Sequence, residues 1–134
     1  SKGLERIVHC QITEFINENN ILCDYQSGFR TSHSTETALL RVTEDIRLAM
    51  ERRQGTILTL FDFSKAFDCV NHNLLIEKLR AIGFSQNVLV WLRSYLSDRR
   101  QCVVVDDERS DWETVTCGVP QGSILGPLLF VLYV

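Results

Sequence analysis

Two short segments of the 134-residue sequence combine residue types that can do chemistry. The first is Phe61-Asp62-Phe63-Ser64-Lys65-Ala66-Phe67-Asp68-Cys69-Val70. Asp62 follows an apolar, β-branched run, so it falls where a buried strand would end. A carboxylate there is costly unless something pairs with it. A divalent cation is one such partner, and Mg²⁺ takes carboxylate oxygens, waters and substrate phosphates. A tight turn after Asp62 would aim the backbone N–H groups of Ser64, Lys65 and Ala66 outward, as a nest suited to a triphosphate. An Asp after a strand also caps turns and helices, and on these residues alone capping is the simpler reading. Asp68 reads the same way, as a cap for the next helix or a partner for Lys65 or a backbone amide.

The second segment is Gly118-Val119-Pro120-Gln121-Gly122-Ser123-Ile124-Leu125-Gly126-Pro127. Glycines let a ligand approach the backbone, and Pro120 stiffens the loop and constrains Val119. Gln121 then sits on a rigid platform with an amide that both donates and accepts. Ser123 opens a helix whose N-terminus favours anions. A plain loop-to-helix junction with a cap explains the same residues.

The elements that must carry these segments follow from periodicity. Leu4, Ile7, Val8, Ile12, Phe15 and Ile16 recur at helical spacing, which predicts a helix from Ser1 to about Asn19. A loop from Cys23 to Ser34 follows. Ser34 or Thr35 caps a second helix with Ala38, Leu39, Val42, Ile46, Ala49 and Met50 on one face, stopped by Gly55. Thr56 to Phe61 reads as a central strand buried on both faces. A helix over about Leu74 to Ala81 closes at Gly83. Ser85 caps another, with Val88, Trp91, Leu92, Tyr95 and Leu96 sharing a face. Cys102–Val105 and Trp112–Cys117 form a hairpin joined by the polar stretch 106–111. The apolar run from Leu128 to Val134 is helical and lacks a closing signal, which suggests that the sequence continues beyond it. Irregular mixing of helices and strands predicts an α+β fold.

Composition narrows the class. Hydrophobic residues at 45% and charged residues at 23% are ordinary for a globular chain. The apolar end is shorter than the roughly 20 residues that span a bilayer, and 1–20 is not a secretory signal. The expectation is an intracellular protein, in nucleus or cytoplasm, without a membrane partner. Five cysteines form no C-x-x-C pair and, with His9, His33 and His72, no zinc spacing. They read as free buried thiols. The net charge of −3 argues against a large basic surface, and the Lys and Arg residues divide evenly, seven before Thr56 and seven after.

The two chemical segments together resemble the reverse transcriptases of non-LTR (LINE-type) retrotransposons, jockey-like elements in particular. The family's first catalytic block is similar to Phe61–Asp68. Its next block, G-V-P-Q-G-S-I-L-G-P-L-L-F, is similar to Gly118–Phe130. An upstream block is similar to Gln26–Arg30 and His33–Leu40. Val70-Asn71-His72 and Arg99-Arg100-Gln101 also fit. One block alone can arise by chance, but three in the right order are specific.

The resemblance implies the fingers and part of the palm of a right-hand polymerase: helical fingers over 1–55 and a truncated palm over 56–134. It implies RNA-directed DNA polymerase activity in retrotransposition. An RNA template, a DNA primer and deoxynucleoside triphosphates would be the partners. Asp62 and the Phe63 carbonyl would be metal ligands for two Mg²⁺ ions, with Mn²⁺ as a substitute. Ser64, Lys65 and Ala66 would face the triphosphate. Phe67 would be the steric gate against a 2′-OH, although a core aromatic fits the residue too. Gln121, between Pro120 and Gly122, would touch the incoming nucleotide. Arg30 would lie near the template, and a plain surface role fits it nearly as well. The family's third block, with its two aspartates, is absent, so the 134 residues alone are expected to be inactive. The alternative is a non-catalytic relic or a helical interaction or nucleic-acid-binding module.

Overall fold

The computed structural model describes residues 2–134. Its elements run α1 (Lys2–Glu18), α2 (Thr35–Glu51), α3 (His72–Ala81), α4 (Gln86–Leu96), β1 (Arg100–Gln101), β2 (Val104–Val105), β3 (Glu108–Arg109), β4 (Glu113–Thr114) and α5 (Leu125–Tyr133). The content is mixed helix and small sheets, as the α+β expectation had it. The chain forms two compact units, Ser1–Ile21 with Lys65–Val134, and Leu22–Ser64.

In the first unit α3 packs on α4 and α5, and α1 packs on α5. Leu75, Ile76 and Leu79 of α3, Leu89, Leu92 and Leu96 of α4, and Leu125, Leu128, Leu129 and Leu132 of α5 are buried; Ile12 and Ile16 of α1 join them. Burying such a side chain stabilises by about 1.5–3 kcal/mol, so this is where the unit's stability lies. The ends of α3 explain its length. The Asn71 side chain accepts from the Leu74 amide at the start. At the end Gly83 takes φ +98°, and the amides of Gly83 and Phe84 bond the carbonyls of Arg80 and Leu79. That pair of bonds is a Schellman motif. Asn20, at φ +49°, ends α1 the same way, with Ile21 bonded to Ile16.

The hairpin differs from expectation. β1 pairs with β4 and β2 with β3, both antiparallel. Glu108 and Arg109 are therefore strand, where a polar connection was expected. The reversal takes only Asp106 and Asp107, at φ +48° and +66°. Two consecutive positive φ angles define a type I′ turn, whose twist matches the strands it joins.

The second unit contains α2. Ser34 caps it through a capping box with Thr37. Ala38, Val42, Ile46 and Ala49 are half-buried, whereas Leu39 and Met50 are exposed. The expected strand Thr56–Phe61 does not form. No ladder includes it among the described residues, and Ile57, Leu60 and Phe61 are 94%, 83% and 86% exposed. An apolar, β-branched run becomes strand only when neighbours complete its hydrogen bonds. The cysteines also depart from expectation. All five are free, but Cys10, Cys23, Cys69 and Cys117 are exposed and only Cys102 is half-buried. They stand in turns or on solvent-facing helix positions, which sequence spacing does not distinguish from core.

Candidate nucleotide-site residues

The first unit brings the end of one motif against the start of the other. The Gly118 amide donates to the Val70 carbonyl at 2.8 Å, and the Val119 amide donates to the Phe67 carbonyl at 2.8 Å. His72 Nε2 lies 2.7 Å from the Gly118 carbonyl oxygen. A carbonyl only accepts, so that nitrogen carries the proton. Gly118 is required here for two reasons. Its φ is +86°, and a Cβ would stand 2.9 Å from the Asp68 backbone. Close approach of two main chains at a left-handed residue selects glycine.

This clamp fixes the loop that carries Gln121. Gln121 Nε2 donates to Asp68 Oδ1 at 2.8 Å. Asp68 does not cap α3, because Asn71 holds that position. Beyond the loop, Ser123 Oγ donates to the Pro120 carbonyl at 2.6 Å and accepts from the Gly126 amide at 2.9 Å. Ser123 therefore bonds into the first turn of α5, although the helix begins at Leu125 with Ile124, not Ser123, at the cap position. Gly122 is exposed at φ +74°.

Phe67 is half-buried, its ring tilted against Phe130 with centroids 4.8 Å apart. Lys65 sits in the turn at φ +54°, a left-handed conformation that costs a non-glycine residue energy. Its carbonyl accepts from the Asp68 and Cys69 amides at 2.9 and 3.1 Å. Lys65, Asp68, Gly118, Val119 and Gln121 line a groove of about 630 Å³. The hairpin and its flanks add Arg99, Gln101, Thr114 and Thr116 to the lining. A groove lined by basic, amide, hydroxyl and carboxylate groups suits a polar ligand.

Arg30, Asp62, Phe63 and Ser64 belong to the second unit. Arg30 donates to the Cys23 carbonyl at 3.0 Å and so braces its own loop. Asp62, Phe63 and Ser64 are exposed. Among the described residues, no group of three or more His, Cys, Asp or Glu side chains is placed to hold a metal ion. Asp62 and the Phe63 carbonyl are oxygen donors of the kind Mg²⁺ takes, and such an ion completes its shell with waters and substrate phosphates.

Some positioning residues were missed in the sequence. Glu5 of α1 accepts from the Ile124 amide at 2.9 Å and lies 3.3 Å from the Tyr95 hydroxyl, which donates to it. A carboxylate at a helix start satisfies an orphan donor and favours the dipole. Burial pushes the Tyr95 phenol above its ordinary value; a Ser123 hydrogen bond opposes this and the Glu5 carboxylate adds to it. Nothing local in the sequence pairs residue 5 with residue 124. His72, read only as part of a motif, had no visible partner either.

Comparison with known proteins agrees with the motifs. The whole chain, residues 1–134, matches the family described as reverse transcriptase (RNA-dependent DNA polymerase). It is 38% identical over 133 residues to a probable RNA-directed DNA polymerase from transposon BS of Drosophila melanogaster, covering 99% of this chain and 15% of that protein. It is 36% identical to the corresponding protein of the X-element of the same fly, covering 99% of this chain and 14% of that protein. It is 33% identical to the RNA-directed DNA polymerase of its mobile element jockey, covering 98% and 14%. The chain therefore spans about 15% of the length of the relatives it matches. On the match over its full length, the chain belongs to the reverse transcriptase family, among relatives encoded by non-LTR retrotransposons.

Proposed function

We propose that the protein carrying this chain is an RNA-directed DNA polymerase that copies an RNA template by adding deoxynucleotides to a DNA primer during retrotransposition. The observation that carries this is the family match over residues 1–134. The clamp between Phe67–Val70 and Gly118–Val119 supports it, because it joins two motifs separated by about fifty residues at one groove. In this reading residues 1–55 contribute to the fingers and 56–134 to the palm of a right-hand polymerase.

Asp62 and the Phe63 carbonyl would hold Mg²⁺, or Mn²⁺ in its place. When bound, a metal pair activates the attacking 3′ oxygen and neutralises charge on the leaving pyrophosphate. The chain's own residues bind and orient. Ser64, Lys65 and Ala66 offer the triphosphate backbone N–H groups and one ammonium. Pro120, Gln121 and Gly122 present an amide to the nucleotide from a stiff loop. Phe67, braced on Phe130, would exclude a 2′-OH, the group that separates RNA from DNA precursors. Most of the rate then comes from positioning and charge stabilisation. Arg30 would stand near the template. The 134 residues by themselves would not extend a primer, since Asp62 alone is a poor anchor for two cations.

Primer extension by the full-length polypeptide on an RNA template tests this. Asp62→Ala should abolish extension while template binding survives. Extension that persists in this variant would leave a nucleic-acid-binding or interaction module as the reading. Phe67→Val should admit ribonucleotides, and unchanged sugar selectivity would remove the gate.

A further inference from the structure

We infer that Asp68 is a positioning residue for Gln121, setting which face of its amide meets the incoming nucleotide; this rests on the polymerase reading above. A free Gln amide can turn over, offering either its oxygen or its nitrogen to a ligand. A carboxylate accepts only, so it pairs with the nitrogen and fixes the amide's sense. Gln121 Nε2 donates to Asp68 Oδ1 at 2.8 Å. The carbonyl oxygen and the second N–H of Gln121 remain for a ligand in the groove that both residues line.

The bond is not needed to hold the loop. Two backbone hydrogen bonds, from Gly118 to Val70 and from Val119 to Phe67, already anchor it, with His72 on the Gly118 carbonyl and Ser123 on the Pro120 carbonyl. Asp68 and Gln121 are both exposed. A hydrogen bond between exposed side chains adds little net stability because water competes for both partners. What the bond does supply is orientation, and orientation is what a reacting nucleotide requires. It also links the residue just after the candidate gate, Phe67, to the candidate nucleotide-contacting amide.

The test is single-nucleotide incorporation by the full-length polypeptide, with kcat and KM for the deoxynucleotide measured separately. Asp68→Ala should raise KM roughly tenfold, with kcat within about threefold and the melting temperature within about 2 °C. Asp68→Asn can donate as well as accept, so it no longer fixes the sense of the Gln121 amide and should keep most of the loss. In a Gln121→Ala background, Asp68→Ala should add less than about twofold, because the two residues then act as one unit. Fully additive losses would overturn the inference, as would an Asn variant as good as the parent, since a partner that only accepts would then not be needed. A parent enzyme that extends primers while Asp68→Ala matches it sinks this inference alone. A parent that extends nothing sinks the polymerase reading, and the inference with it.

Discussion

α2 and α4 belong to different units and are held in opposite ways. α2 has a full capping box at Ser34, a left-handed stop at Arg53 (φ +56°) with Gln54 bonded to Ala49, and an Arg47 side chain paired with Glu44 and Glu51. It buries no residue. α4 begins at Ser85 with no side-chain cap bond, yet it buries Leu89, Leu92 and Leu96. The contrast extends to the units. Every fully buried apolar side chain among the described residues lies in Ser1–Ile21 or Lys65–Val134, and none in Leu22–Ser64. Local devices are worth tenths of a kcal/mol to about 1 kcal/mol each, whereas core burial accumulates several. Helical stability in proteins comes mainly from packing an apolar face. The unit with the packed helices should therefore be the more stable, and the one with α2 should open first.

The largest expected effect is in the packed unit. Leu79→Ala, at a fully buried position of α3, the helix that packs on α4 and α5, should cost about 2–5 kcal/mol in chemical denaturation. A smaller loss would mean that the core collapses around the gap and is looser than its burial suggests. Gly118→Ala should cost about 1–3 kcal/mol, since it meets backbone at 2.9 Å in a left-handed conformation. Its damage should extend to the Gln121 loop, read by amide hydrogen exchange at Val119. Ser34→Ala should cost about 1 kcal/mol, confined to faster exchange in the first turn of α2. If that change lowered the protection of α3 as well, the two units would not be energetically separate.

The smallest effect concerns charge. A hydrogen bond from Arg47 holds the Glu44 carboxyl below its ordinary value, opposed by desolvation and helped by their Coulombic attraction. A depressed folded-state pKa contributes stability above the unfolded value and loses it as pH falls through the folded one. Both groups are solvated, so screening keeps the contribution small. α2 should therefore lose a little protection as pH drops below the ordinary glutamate range. High salt should mimic that loss, while α3 and α4 stay unchanged.

What could be read from the sequence was what depends on neighbours a few residues away. The helices at 2–18, 35–51, 72–81, 86–96 and 125–133 showed in apolar spacing, in Ser34 and in Gly83. The family showed in three motifs. Thr56–Phe61 has the residues of a strand but forms none, because a strand depends on distant partners and its β-branched residues say nothing about whether those are present. The hairpin turn was placed too broadly, because Asp106-Asp107 in a left-handed pair is less common than a glycine-containing one. For Asp68 the sequence offers only local partners, because the real one, Gln121, is 53 residues away. Leu89 lies outside the apolar face that spacing predicts for α4, yet it is buried at 2% exposure.

The bond from the Ile124 amide to Glu5 spans 119 positions. A ribosome adds about 5–20 residues per second, so roughly 6–24 s separate the two halves of that contact during synthesis. The Glu5 carboxylate of α1 stays hydrated until α5 is made and its first amide can reach it. Long-separated contacts of this kind slow folding. That contact therefore forms only once α5 has been made, and shortening the polypeptide from the first turn of α1 would weaken a loop more than a hundred positions downstream.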